Sequence, residues 1–223
     1  MGATHERGRA ASGLWCLSLL AAAARAQTAQ SWNEVDVAAS WRIVAFTLPL
    51  VARMDSRLPN PQLLAAGLTA DLPLPWELTL TGGYLFVDLP QRTPSDVRVP
   101  LAALSKSFRI GRVTVADRNR FEKLIGLSTS PVRYRNRLLA NLPLGATGRW
   151  HAFIDDEVFY DFSASHWTQN RFQVGGGAGL RTHLALDLYF LQRNLRGGAP
   201  PTRVVGATLK ILLTERPGAA RDH

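Results

Sequence analysis

Cysteine is nearly missing from this chain: of 223 residues only Cys16 is one, and it lies in an N-terminal stretch marked for removal. A mature chain without it cannot form disulfides or use thiol chemistry. Histidine is scarce too, with five residues. Neither His151 nor His183, each isolated near a turn, nor the terminal His223 has a neighbour at ligand spacing, so no metal or other cofactor is expected. Negative charge is in short supply, 17 Asp and Glu against 26 Lys and Arg, for a formal charge of +9. After the N-terminal stretch there is no apolar run of about 18 residues, which excludes a helical membrane span.

The N-terminal stretch has its own pattern. Arg7 and Arg9 form a basic front, Gly13 to Ala24 is apolar but too short to span a bilayer comfortably, and Ala24-Arg25-Ala26 is a small-x-small cleavage site. Residues 1–26 therefore read as a secretory signal peptide cut before Gln27. Trp15, directly before Cys16, is too large for a lipoprotein cleavage site. Removing 26 of the 223 residues leaves 197, enough for one large β domain over 27–214 with a tail over 215–223. Loss of Arg7, Arg9, Arg25 and Glu6 lowers the charge from +9 to +7. In an exported chain that surplus does not meet nucleic acid. It suits anionic lipid headgroups or lipopolysaccharide phosphates, or serves solubility alone.

What the chain does have is alternation. From Val113 to Arg171, arginines and carboxylates recur at every second position inside apolar runs. Arg118, Arg120 and Glu122 share one parity of the first run, and Arg133, Arg135 and Arg137 one parity of the second. Asp155, Glu157 and Asp161 share one parity of the third, opposite Ala152, Ile154, Val158, Tyr160 and Phe162. Successive side chains of a strand point to opposite faces, so each run puts charge on one face and apolar groups on the other. A soluble sheet also alternates, but its charged face is rarely so rich in arginine set against carboxylate. A transmembrane barrel keeps an apolar exterior and neutralises polar groups against one another inside.

Ten segments carry the period: 31–47, 63–72, 76–88, 99–110, 113–124, 132–142, 150–161, 168–180, 184–193 and 203–214. Most are long enough for a tilted strand to cross a bilayer. Pro49 to Pro61, Pro90 to Arg98, Ile125 to Pro131 and Asn194 to Thr202 read as loops. Numbered in order, the odd connections are mostly the longer and the even ones mostly short. The expected fold is therefore an all-β, antiparallel up-and-down barrel of about ten strands, twelve being the alternative, with both termini in the periplasm. Trp32, Trp41, Trp76, Trp150 and Trp167 fall near strand ends, where aromatic girdles sit.

Several of these residues also carry a likeness. Arg118-x-Arg120-x-Glu122, Arg133-x-Arg135-x-Arg137-Leu138, Asp156-Glu157-x-Phe159, Thr168-Gln169-Asn170-Arg171 with its glycine-rich continuation, and Leu188-Tyr189-Phe190-Leu191-Gln192 resemble an uncharacterised proteobacterial family of outer-membrane β-barrels, domain of unknown function 2490. The resemblance covers most of the mature chain and is firmer after Arg118. It implies a bacterial outer-membrane location and brings no accepted activity or catalytic residue. In one respect the chain departs from such barrels, which usually finish on a terminal aromatic: its last predicted strand ends Leu212-Leu213-Thr214, before Glu215 to His223.

The interior of a barrel of ten strands is little wider than its side chains can fill. A lumen charge network of Arg118, Arg120, Glu122, Arg133, Arg135, Arg137, Asp155, Glu157, Asp161 and Arg171 is therefore expected. It either closes the interior structurally or lines a narrow passage for a small solute. The expected partners are outer-membrane lipids and lipopolysaccharide, together with the barrel-assembly machinery during biogenesis. Enzymatic readings find weaker support. His166-x-Thr168 with Asn170 is the nearest approach to the His-x-Ser pair of an outer-membrane lipid hydrolase, but threonine replaces the serine and Asn170 shares the strand. Asp155 and Asp156 fall on opposite faces and make a poor catalytic dyad. Gly175 to Gly179 lacks the Lys-Ser/Thr of a phosphate loop and reads as a place for a sharp bend or for the approach of a bulky interior neighbour such as an arginine. A non-enzymatic barrel is expected, with a lipid-modifying enzyme of the same membrane and a soluble periplasmic barrel that binds an apolar ligand as the competing classes.

Overall fold

The period-two segments close on themselves. In the computed structural model, which describes residues 29–55, 57–58, 60–93, 95–127 and 129–214, all regular structure is strand. The expected signal peptide and the expected tail lie outside the described residues. Eleven strands are present among the described residues: β1 Ala29–Trp41, β2 Val44–Asp55, β3 Leu63–Leu74, β4 Leu78–Asp88, β5 Asp96–Ile110, β6 Val113–Lys123, β7 Val132–Leu144, β8 Trp150–Asp161, β9 His166–Arg181, β10 Leu184–Leu195 and β11 Thr202–Leu212. Each pairs antiparallel with its sequence neighbour, and a parallel β1/β11 seam closes the barrel.

The additional strand comes from the first predicted segment. Residues 31–47 do not run straight. The chain turns at Arg42 and Ile43, with Arg42 at φ 54°, and returns as β2 through most of the stretch read as a proline loop. Pro49 lies inside β2, and the β2/β3 ladder is interrupted there: pairing runs Ala45–Thr47 and resumes at Leu50. A residue without an N–H leaves its neighbour unpaired but does not end a strand. The turn also reverses the parity: even-numbered Trp32, Glu34 and Asp36 face the interior from β1, and odd-numbered Ala45, Thr47 and Val51 face it from β2.

An odd strand number has a second effect. The connections at one rim are short, 42–43, 75–77, 111–112, 145–149 and 182–183, and those at the other are mostly longer, 56–62, 89–95, 124–131, 162–165 and 196–201. Because β1 and β11 run in the same direction, β1 begins at the long-loop rim and β11 ends at the short-turn rim. The expectation that both ends share one side is therefore corrected.

The outer face carries the large apolar side chains that remain exposed, among them Leu48, Leu68, Phe86, Leu104, Phe121, Leu138, Ile154, Phe172 and Leu188. Trp41, Trp150 and Trp167 stand exposed at strand ends and Trp76 in the β3/β4 turn. Trp32 differs. It points inward and forms a small buried cluster with Leu191 and Val204. Burial inside the barrel is lopsided: Trp32, Val97, Val99, Phe159, Leu191 and Val204, all towards the long-loop rim, are buried, whereas Arg42, Ile43, Pro73 and Lys210, towards the short-turn rim, are exposed.

Candidate functional site

Alternation in β6, β7 and β8 sets three charged rows side by side on the inner face. The register places Arg118 opposite Arg137, Arg120 opposite Arg135 and Glu122 opposite Arg133. On the other side of β7, Arg137 lies opposite Glu157 and Arg133 opposite Asp161. Long guanidinium stems reach beyond their direct cross-strand partner, so the final pairs are partly diagonal.

Glu122 is the first hub. Its Oε2 accepts from Arg133 Nη2 at 2.5 Å and Nε at 3.0 Å, and its Oε1 from Arg135 Nη1 at 2.6 Å. Arg120 Nε adds an ion pair with Oε1 at 2.7 Å. Glu157 is the second hub: its Oε1 accepts from Arg135 Nη2 at 2.8 Å and Arg118 Nη2 at 3.1 Å, and Arg171 Nη1 is 3.5 Å from Oε2. Arg135 bridges the two. Asp155 accepts from Arg137 Nη2 at 2.8 Å. Seven of the ten predicted residues thus meet in one network, and Arg137 with Asp155 forms a separate pair beside it, Arg137 lying opposite Glu157 in the register. Asp161 does not join it: its Oδ1 accepts from the backbone N–H groups of Ser163 and Ala164 and caps the β8/β9 turn.

Carboxylates are too few for the arginines, and aromatic rings take up part of the difference. Phe159, 1% exposed, has Arg171, Arg135 and Arg133 over its ring at 4.4, 4.8 and 5.4 Å. Trp32 has Arg53 at 3.9 Å and Arg171 at 4.9 Å. A guanidinium over an aromatic face is attracted by the ring quadrupole and gives up less hydration than an ammonium would.

Above this layer, towards the short-turn rim, lies a cavity of about 790 Å³. Its floor is formed by the arginines and its walls include Glu34, Asp36, Thr81, Ser105, Thr208 and Lys210. A second charged group crosses the wall here: Asp187 accepts from Lys210 Nζ at 2.6 Å and lies 3.2 Å from His151 Nε2. The long-loop rim is tied by an outer pair, in which Asp55 accepts from Arg57 Nε and Nη2, each at 3.0 Å. Those hydrogen bonds hold the Arg57 guanidinium above its ordinary value.

The glycine-rich part of β9 and Gly206 make room for these groups. A Cβ at Gly177 would collide with Asp187 Oδ1 and with the His151 ring, one at Gly175 with Phe153 and Tyr189, and one at Gly206 with the Tyr189 ring. No enzyme-like constellation forms among the described residues. His166 Nδ1 contacts the Ala164 carbonyl at 2.6 Å, Thr168 donates to the Phe159 carbonyl, and Asn170 donates to Asp156 on the outer face. That outer contact belongs to a polar row: Asn136 donates to Asp117 at 2.6 Å and to Asn119 at 3.2 Å, and the Tyr134 hydroxyl donates to Asn119 at 2.5 Å.

Sequence reasoning left out Arg53, Trp32 and the His151–Asp187–Lys210 group as site residues. Arg53 was hidden by the prolines around it. The third group depends on β10 meeting β11 and on a histidine at a strand start, and no local spacing marks either.

The sequence model of a family described as a protein of unknown function (DUF2490) matches residues 29–203, from β1 to the first residues of β11. No curated protein matches the chain.

Proposed function

The chain belongs to the DUF2490 family, and from its closed barrel we propose an integral protein of the bacterial outer membrane, exported through its signal peptide, that is non-enzymatic and serves envelope structure or narrow permeation. One observation carries this reading: large apolar side chains face outward around the barrel, while the ion-paired arginines are enclosed on the axis side. A water-soluble β protein would have the opposite economy of surfaces, whereas hydrocarbon favours this one, the hydrogen-bonded outer row of Asp117, Asn119, Asn136, Asp156 and Asn170 excepted. Two features favour a closed or narrowly conducting interior over an open pore. The long-loop half is filled by Trp32, Phe159, Leu191 and Val204, and the arginine layer stands directly beneath it. Anionic lipid and lipopolysaccharide phosphates are the proposed surroundings of the basic chain, with the barrel-assembly machinery its partner during biogenesis.

The test is fractionation followed by recording. The protein should stay with carbonate-washed outer membranes, shift its gel mobility on heating and give small or no conductance steps in planar bilayers. Release into the carbonate wash would overturn the membrane assignment, and large ohmic steps would overturn the narrow interior.

A further inference from the structure

Charge does not balance at the cavity floor. Arg53, Arg118, Arg120, Arg135, Arg137 and Arg171 all line it, and the described carboxylates within ion-pair reach of these arginines are Glu122, Asp155 and Glu157. Donors are left over as well. Arg53 Nε, Arg118 Nε, and Arg120 Nε and Nη2 are buried without a hydrogen-bond partner among the described residues. Arg120 Nε lies 2.7 Å from Glu122 Oε1 but off the bonding direction, so that contact attracts without satisfying the N–H. Arg53 has no described carboxylate within ion-pair distance and stacks on Trp32. Shared contacts join these arginines into one cluster: Arg53 and Arg171 stack on the same Trp32 ring, Arg171, Arg118 and Arg135 share Glu157, and Arg135 and Arg120 share Glu122. Buried cations with unmade hydrogen bonds are costly unless something answers both needs.

We propose that this floor is a binding site for a phosphate group, held by Arg53, Arg118 and Arg120, and supplied either as the free ion or as the monoester of a small zwitterion. A phosphate offers several acceptor oxygens at once, matching donors that arrive from two separate strands, β2 and β6. Glu34, Asp36 and Asp187 line the walls above the floor. They oppose polyanions and favour a ligand carrying an ammonium beside its phosphate. The proposed permeation role bears only on how the ligand arrives. The site itself requires only the closed barrel.

Detergent-purified protein, with folding checked by heat-modifiable mobility, is titrated calorimetrically with inorganic phosphate and with phosphoethanolamine, chloride holding the ionic strength constant. Saturable binding of either is expected, the tighter of the two identifying the source. Arg53→Gln and Arg120→Gln should each weaken binding at least tenfold, while Arg98→Gln, on the outer face, should leave it unchanged. Absence of binding by both compounds, or equal affinity in the Arg53 and Arg120 variants and the parent, would overturn the site. If Arg53→Gln fails to fold, Arg120→Lys replaces it in the comparison, because it keeps the charge and loses the fork. Fractionation and conductance are measured on the same protein without phosphate, so a failed membrane reading and a failed phosphate site give different results.

Discussion

Glu122 is 2% exposed and lies within ion-pair distance of three arginines. Converting its carboxylate to an amide leaves a cluster of buried cations with one counter-charge fewer. Glu122→Gln is therefore expected to cost about 3–5 kcal/mol, the scale for breaking a buried ion pair from one side. Asp155 holds one arginine, Arg137, whose side chain is 29% exposed and partly reached by water, so Asp155→Asn should cost clearly less. Urea unfolding followed by tryptophan fluorescence ranks the two, and equal losses would contradict the hub role of Glu122. A steric prediction applies at Gly206, where a Cβ would enter the Tyr189 ring. Gly206→Ala should destabilise by about 1–3 kcal/mol through overpacking, and nearly all of that loss should vanish in a Tyr189→Ala background, as a double-mutant cycle would show.

Individual strands show which parts of the fold the sequence expresses. β6, β7 and β8 were legible because their charged and apolar residues alternate without a break, and a two-face pattern leaves one orientation available. β2 alternates just as cleanly, with Phe46, Leu48, Leu50 and Met54 outward and Thr47, Val51 and Arg53 inward. Pro49 within it, Pro59 and Pro61 just after it, and the absence of Gly, Asn or Asp from the Arg42–Ile43 turn disguised it. The β3/β4 turn is similarly atypical: Trp76 and Glu77 both hold positive φ, 61° and 59°, where side chains other than glycine are strained. Glu77→Gly should raise stability by about 1 kcal/mol by removing that strain, detectable as a higher midpoint of heat-modifiable mobility. The candidate site was legible in its arginine rows, since those are intrastrand patterns. Arg53 and the His151–Asp187–Lys210 group were not, because they depend on strands far apart in sequence.

Across the whole molecule the interior is asymmetric, packed towards the long loops and open towards the short turns. Cys16 is the single cysteine of the chain and falls within the expected signal peptide, so introduced thiols can report this asymmetry against a blank background. Ser105→Cys and Thr208→Cys, which line the cavity, should react rapidly with a water-soluble maleimide. Val99→Cys and Val204→Cys, 4% and 0% exposed, should react at least a hundredfold more slowly. Comparable rates at all four positions would show a continuous water path along the axis.

The parallel β1/β11 seam constrains how this chain could be rearranged. In a barrel with an even number of strands the first and last strands end side by side, and a hairpin-sized linker would permit circular permutation. Here the first residue of β1 and the last residue of β11 lie at opposite rims. Joining them requires a connector that travels the height of the wall, on the order of 35 Å at about 3.3 Å per extended residue. Permutants with linkers shorter than about ten residues should therefore fail to close, and longer ones must run either through the cavity or along the outside of the barrel.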